Sequence, residues 1–225
     1  MRAQRSVTVG YGLVLGLVGA SITIQLLTTG SSGIRFLTVA LQGATLVAVV
    51  WTSGGRRPIV RLAAGAGVLA VSVAAVLWLL HGSVPPATAG IVNGLLVGVA
   101  PAALASGLIR ELRADGSVTL RTVAGVLAIY LLAGMLFSFL YSVIGAFDAD
   151  AVFAGQSHAT AADDLYFSFV TLATVGYGDL VPAADLTRTF AVAEMLFGQI
   201  YLVTVVALIV SNLGRRREPV TPPLR

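Results

Sequence analysis

Six apolar runs, each close to the length that crosses a bilayer, leave this chain little freedom to fold as a soluble protein. A helix spanning the hydrocarbon layer takes about 20 residues. Of the 225 residues, 57% are hydrophobic and 11% charged. The runs are Val7–Thr29, Phe36–Thr52, Leu62–Leu80, Ala87–Ile109, Thr122–Phe147 and one within Asp185–Leu213. Lipid offers no hydrogen-bond partners, so each run must satisfy its own backbone, which predicts helices. A signal peptide is the rival reading of the first run. Its apolar core would be only ~7–15 residues with a small-residue cleavage site, and this run is longer and has no convincing site. Pro101 predicts a bend in the fourth run. Turns fall at Gly30–Gly33 and His81–Pro86, and polar loops at Ser53–Arg61 and Arg110–Arg121. The expected fold is an all-α membrane protein with six transmembrane helices.

The charges orient these helices. All 14 basic residues are arginine, and there is no cysteine, so disulfide and thiol chemistry are excluded. Arginines collect on the cytoplasmic side of membrane proteins. With both termini cytoplasmic, Arg2, Arg5, Arg56, Arg57, Arg61, Arg110, Arg113, Arg121, Arg215, Arg216, Arg217 and Arg225 lie inside, and only Arg35 and Arg188 lie outside. The outer side holds Asp148, Asp150, Asp163, Asp164, Asp179 and Asp185. This distribution explains the basic clusters as topology, and no nucleic-acid partner is expected. A bacterial plasma membrane is the location that composition alone brings to mind.

Between the last two runs stands Thr174-Val175-Gly176-Tyr177-Gly178-Asp179. A cation leaving water needs a replacement shell of oxygens, which consecutive backbone carbonyls supply if they point to one side. Gly176 and Gly178 permit the required backbone because glycine reaches positive φ. Val175 and Tyr177 would then point away and pack into surrounding protein, and the Thr174 hydroxyl would add an oxygen. Four copies are needed to close oxygen rings. Asp163 and Asp164 are placed to cap a short helix running from Leu165 to Ala173, whose partially negative end would face the cation. Ser168 and Thr171 lie on that helix.

From Arg121 to Arg217 the sequence resembles the tetrameric K⁺ channel family, with outer helix, re-entrant pore helix, TVGYGD filter and inner helix. The resemblance implies K⁺ coordination by Thr174, Val175, Gly176 and Tyr177, K⁺ as permeant ion with no cofactor, and a homotetramer in the lipid bilayer. It matches Gly198, 19 residues after Asp179, to the inner-helix glycine discussed as a gating hinge; close packing is the other reading. By the same resemblance Gln199, Leu202, Val206 and Val210 line the cavity, unless that stripe faces a helix interface. Some relatives carry a carboxylate at the position of Val170, paired with the aspartate after the filter. Valine there removes that pair.

Three parts follow: a four-helix transmembrane domain at 1–113, a pore domain at 120–217 and a short tail at 218–225. The count resembles voltage-gated channels, but Ala87–Ile109 contains no arginine. Each charge crossing the field contributes only ~2.3 kcal/mol per 100 mV, so a sensor needs several. The first four helices therefore read as a structural jacket or as a lipid- or ligand-responsive domain. Gly90, Gly94 and Gly98 allow close helix contact. Glu194, the one acidic residue well inside a predicted span, is a candidate for hydrogen bonds behind the filter to Ser168 or Thr171, or else a partly solvated carboxylate. His81 and His158 read as isolated loop residues. No metal cluster, nucleophile triad or phosphate loop is recognisable, so the chain is expected not to be an enzyme. A K⁺-selective channel is the leading expectation. A non-selective cation pore, a non-conducting subunit and a transporter subunit are the rivals.

Overall fold

The computed structural model describes residues 10–27, 32–54, 57–82, 84–115, 119–148, 150, 152–155 and 159–213. Arg2, Arg5, Arg56, His158, Arg215, Arg216, Arg217 and the 218–225 tail lie outside the described residues. Among the described residues eight helices follow one another: α1 Gly10–Leu27, α2 Ser32–Thr52, α3 Arg57–His81, α4 Pro86–Gly98, α5 Ala100–Asp115, α6 Leu120–Phe147, α7 Ala161–Leu172 and α8 Asp185–Leu213. Six stretches are long and apolar enough to cross a membrane, α4 and α5 together making one of them. The chain is therefore an all-α, multi-pass membrane protein.

The fourth span departs from the sequence expectation. Instead of one bent helix there are two, broken at Val99. In an unbroken helix the carbonyl of Val97 would receive the amide of residue 101, but Pro101 has none. The amide of Val99 turns back to Val97 O instead, and the ladder restarts with Ala103 N–H donating to Val99 O at 3.1 Å. The second piece runs on to Asp115, so Arg110 and Arg113 stand on a helix rather than in a loop. Arg61 is likewise on α3, and Arg35 on α2, where it reaches the Val84 carbonyl at 2.6 Å. Long arginine stems let a charged head leave the apolar layer without ending the helix.

Packing follows the small residues. Helices α2 and α3 cross where Gly43 and Gly67 meet backbone to backbone. Gly90, Gly94 and Gly98 on α4 all face α6, against Val143, Phe139 and Leu136 respectively. One apolar core joins α1, α4, α5, α6 and α7 through Tyr11, Val14, Val97, Leu104, Ile129, Leu132 and Leu165. It crosses the chain boundary near residues 113–120, so the first four spans are joined to α6 and α7 through shared side chains. A second core joins α2, α3 and α4 through Val39, Leu46, Ala70 and Leu96.

Helix α8 packs chiefly on α6 and α7. It crosses the end of α7 at Gly198, where any Cβ would run into the Leu172 carbonyl. The helix is continuous there, so close approach accounts for this glycine in the present conformation. Gly198→Ala should force the two helices apart at a cost of about 1–3 kcal/mol, the range for overpacking. A thermal midpoint several degrees below that of the parent protein in the same detergent is expected. An unchanged midpoint would remove the packing role and leave only the hinge reading.

Candidate functional site

Helix α7 begins at a capping box. Thr160 Oγ1 accepts from the Asp163 amide at 3.2 Å, and Asp163 Oδ2 accepts from the Thr160 amide at 2.8 Å. The sequence expectation of two capping aspartates is thus corrected: Thr160 is the cap and Asp163 its partner three residues on, an arrangement that satisfies two otherwise orphaned donors. Asp164 turns inward, is 3% exposed and accepts from the Ser142 hydroxyl of α6.

At its other end α7 runs into the candidate filter. Thr174 N–H donates to Thr171 O at 2.9 Å, and the amides of Val175 and Gly176 both donate to Val170 O, at 2.9 and 3.4 Å. Positive φ occurs at Thr174 (57°), Gly176 (58°) and Gly178 (81°), and not at Val175 or Tyr177. Alternation between right- and left-handed backbone turns successive amides to one side. Here the amides of Thr174, Val175 and Gly176 turn to the end of α7. Thr174 is the one non-glycine residue with positive φ among the described residues. Such a conformation costs of order 1–3 kcal/mol, and residue-type preference gave no sign of it. The two glycines have nothing within 4 Å of a built Cβ; their backbone angles, not crowding, call for glycine. Val175 and Tyr177, expected to be packed, are 51% and 72% exposed in the single chain.

The outer end is fixed by a residue the sequence reading missed. Tyr166 on α7 donates its hydroxyl to Asp179 Oδ2 at 2.8 Å, and its ring lies parallel to that of Tyr177 at 6.5 Å. The Tyr166 hydroxyl and nearby backbone amides hold the Asp179 carboxyl below its usual range. Beyond it, Pro182 pairs with Phe153, and Ala154 N–H donates to Val181 O at 2.9 Å. Phe153 in turn meets Phe167 of α7 edge-on at 5.0 Å.

Behind the filter sits Glu194, with no exposed surface. Its Oε2 lies 2.7 Å from the Tyr141 hydroxyl and its Oε1 2.5 Å from Ser168 Oγ, which is itself 2.7 Å from Gly134 O. Tyr141 was not anticipated. Thr171, the other partner considered, instead gives its carbonyl to Thr174. Gln199, Leu202 and Val206 are exposed on α8, whereas Tyr201 and Val205 pack on the α6 core. Tyr201 donates to Val126 O at 2.6 Å and stacks between Tyr130 and Phe197. The Val210 side chain lies outside the described residues. No cluster of metal-binding side chains occurs among the described residues.

Residues 125–215 match the family model described as ion channel. Similar proteins include two pore potassium channel a of Oryza sativa, 39% identical over 47% of this chain and 27% of that protein. Two-pore potassium channel 1 of Arabidopsis thaliana is 33% identical over 46% of this chain and 26% of its own length. The inward rectifier potassium channel Kirbac3.1 of Paramagnetospirillum magnetotacticum is 30% identical over 40% of this chain and 29% of its own. Part of the chain is thus similar to parts of these potassium channels. The matched parts span about a quarter of each relative's length.

The Asp179 pairing sets a direction for pH. A carboxyl held below its unfolded value of about 3.9 contributes stability that is present above that value and lost as pH falls through the depressed one. Tyr166→Phe should return the Asp179 titration toward the ordinary carboxylate range, read by NMR of labelled aspartate. A titration unchanged by the substitution would show that the hydroxyl does not hold the carboxylate.

Proposed function

We propose that this chain forms a K⁺-selective pore as a ring of four identical copies, with the carbonyls of Thr174, Val175, Gly176 and Tyr177 and the Thr174 hydroxyl replacing the water shell of the ion. The observation that carries this reading is the alternating backbone from Thr174 to Gly178, with the amides of Thr174, Val175 and Gly176 drawn to the end of α7. Rings of carbonyls of this kind coordinate dehydrated K⁺. Ions pass down their gradient and no bond is made or broken, so the protein is not an enzyme.

Three further observations support it. The relatives are named as potassium channels. Val175 and Tyr177 are open in the single chain, as are Leu196, Ile200 and Val203 on α8, and neighbouring copies supply cover for both. The C-terminal end of α7 points its partial negative charge toward the filter entrance.

In this reading the first four spans form a jacket that does not sense voltage in the usual way. Helix α4 carries no charged residue. The arginines begin on α5, where Arg110 is tied to the Ser53 carbonyl. The arginine distribution supports cytoplasmic termini and a filter at the outer face, and this reading takes the protein as a multi-pass channel of the plasma membrane with Gln199, Leu202, Val206 and Val210 lining its cavity.

Liposomes containing only the purified chain should pass K⁺, block with Ba²⁺, and admit little Na⁺ at every voltage tested. Gly176→Ala places a Cβ on a residue that needs φ near +58° and should abolish selective flux, since left-handed backbone costs an L-residue about 1–2 kcal/mol in each of four copies. Equal K⁺ and Na⁺ flux through the parent protein, or normal K⁺ flux through the variant, would overturn the filter assignment. Steep voltage dependence would overturn the reading of the first four spans.

A further inference from the structure

Three oxygen–oxygen contacts run in a chain through Glu194 and Ser168, and the number of protons they require decides the charge of Glu194. Tyr141 Oη lies 2.7 Å from Glu194 Oε2, Ser168 Oγ 2.5 Å from Glu194 Oε1, and Ser168 Oγ 2.7 Å from Gly134 O. Each contact is short enough to need a hydrogen between its oxygens. The Gly134 carbonyl carries none, and the tyrosine and serine hydroxyls carry one each; an ionised carboxylate is acceptor-only. Two protons cannot fill three contacts. With Glu194 ionised, Ser168 must choose between Glu194 and Gly134, and one pair of oxygens is left in repulsive contact.

One further proton completes the set. A carboxylic acid donates from Oε1 to Ser168, Ser168 donates to Gly134 O, and Tyr141 donates to Oε2. Burial points the same way. Glu194 has no exposed surface, and its side-chain partners are the Tyr141 and Ser168 hydroxyls, with no cation among them. An uncompensated buried charge is costly. The titratable groups on the surrounding elements add no positive charge. Asp164 lies one turn before Ser168 on α7, buried against Ser142. From α6 come Tyr141, bonded to Glu194, and Tyr130, stacked on Tyr201. The ends of α8 contribute Asp185 and Arg188, which are exposed and paired with each other at 3.4 Å.

We infer that Glu194 is a neutral carboxylic acid, and that its proton fixes the pore helix α7 to the outer helix α6. Glu194 is thus a positioning residue: it touches no filter residue and acts through Ser168. Removing the proton leaves the Ser168 link to Gly134 or to Glu194 unmade and a charge buried behind the filter. The pore helix loosens, and the alkaline side of the pH range is where the structure gives way.

The charge assignment stands without the channel reading; its effect on conduction rests on that reading. The test uses the purified full chain. Infrared difference spectra between the parent protein and Glu194→Gln at neutral pH should show a protonated-carboxyl C=O band present only in the parent. That band should vanish at the alkaline pH where the parent's thermal midpoint falls, while the midpoint of Glu194→Gln stays flat. The amide reproduces the neutral pattern, its N–H donating to Ser168 and its oxygen accepting from Tyr141. In liposomes Glu194→Gln should keep K⁺ flux within about twofold, and Glu194→Ala should lose about tenfold, equivalent to ~1.4 kcal/mol, the size of one or two lost hydrogen bonds. No such band in the parent, or a thermal midpoint for Glu194→Gln as low as that of Glu194→Ala, would overturn the inference. If the parent itself passes no K⁺, the channel reading fails while the band and the midpoints still decide the charge.

Discussion

The carbonyl of Val170 is the point on which the pore half depends. It receives the amides of both Val175 and Gly176, and so turns the filter backbone outward from the helix that carries it. The geometry is only as good as the position of that carbonyl, which is set by the placement of α7. Each stretch of α7 is held separately: Thr160 and Asp163 at its start, Ser142 and Asp164 one turn in, Ser168 with Gly134 and Glu194 near the middle, and Leu172 against Gly198 at its end. A 12-residue helix is marginal alone in water. Here its core side, with Leu165 and Leu172 buried, supplies the remaining stability.

The fold was legible in the sequence because lipid is a strict solvent. A run of about 20 apolar residues has essentially one solution there, so six spans could be placed without knowing their contacts. Helix ends were less legible. Pro101 was visible, yet a bend and a break differ only in whether Val97 O finds another donor, and Val99 provides it. Thr160 was passed over for two aspartates beside it because carboxylates and hydroxyls cap equally well, and only the backbone shows which residue leaves the helix. In the site, the motif carried Gly176 and Gly178 but not the strained Thr174, whose left-handed angle no β-branched residue advertises. Glu194 stood out as a carboxylate in an apolar run, while Tyr141 did not, since a tyrosine in a membrane helix is ordinary. Tyr166 likewise gained meaning only once Asp179 was placed beside it.

The first four spans are not an independent body beside the pore. Tyr11, Val14 and Val18 of α1 share one core with Leu132 of α6 and Leu165 of α7. Tyr11 lies against Gly125, where a Cβ would already be tight. A change in the tilt of α1 would therefore reach the pore helix directly, through packed side chains rather than through a linker. The α4 glycines bring that helix onto α6 beside Ser142, the residue that holds Asp164. Regulation by lipid or ligand acting on these spans has a short mechanical route to the filter scaffold.

Strain explains why so many contacts converge on so short a segment. Thr174 occupies a left-handed angle that its branched side chain disfavours, and a strained residue persists only where its surroundings over-determine it. On the near side the Thr171 and Val170 carbonyls fix its own amide and the next two. On the far side Tyr166 and the Phe153–Pro182 pairing fix Asp179 and the returning chain. Between them the loop has no freedom to relax Thr174 into a common conformation without breaking several bonds together. A loop held this way is fixed at both ends, while Val175 and Tyr177 between them lie exposed in the single chain. Those exposed side chains alternate with the three residues at positive φ, Thr174, Gly176 and Gly178.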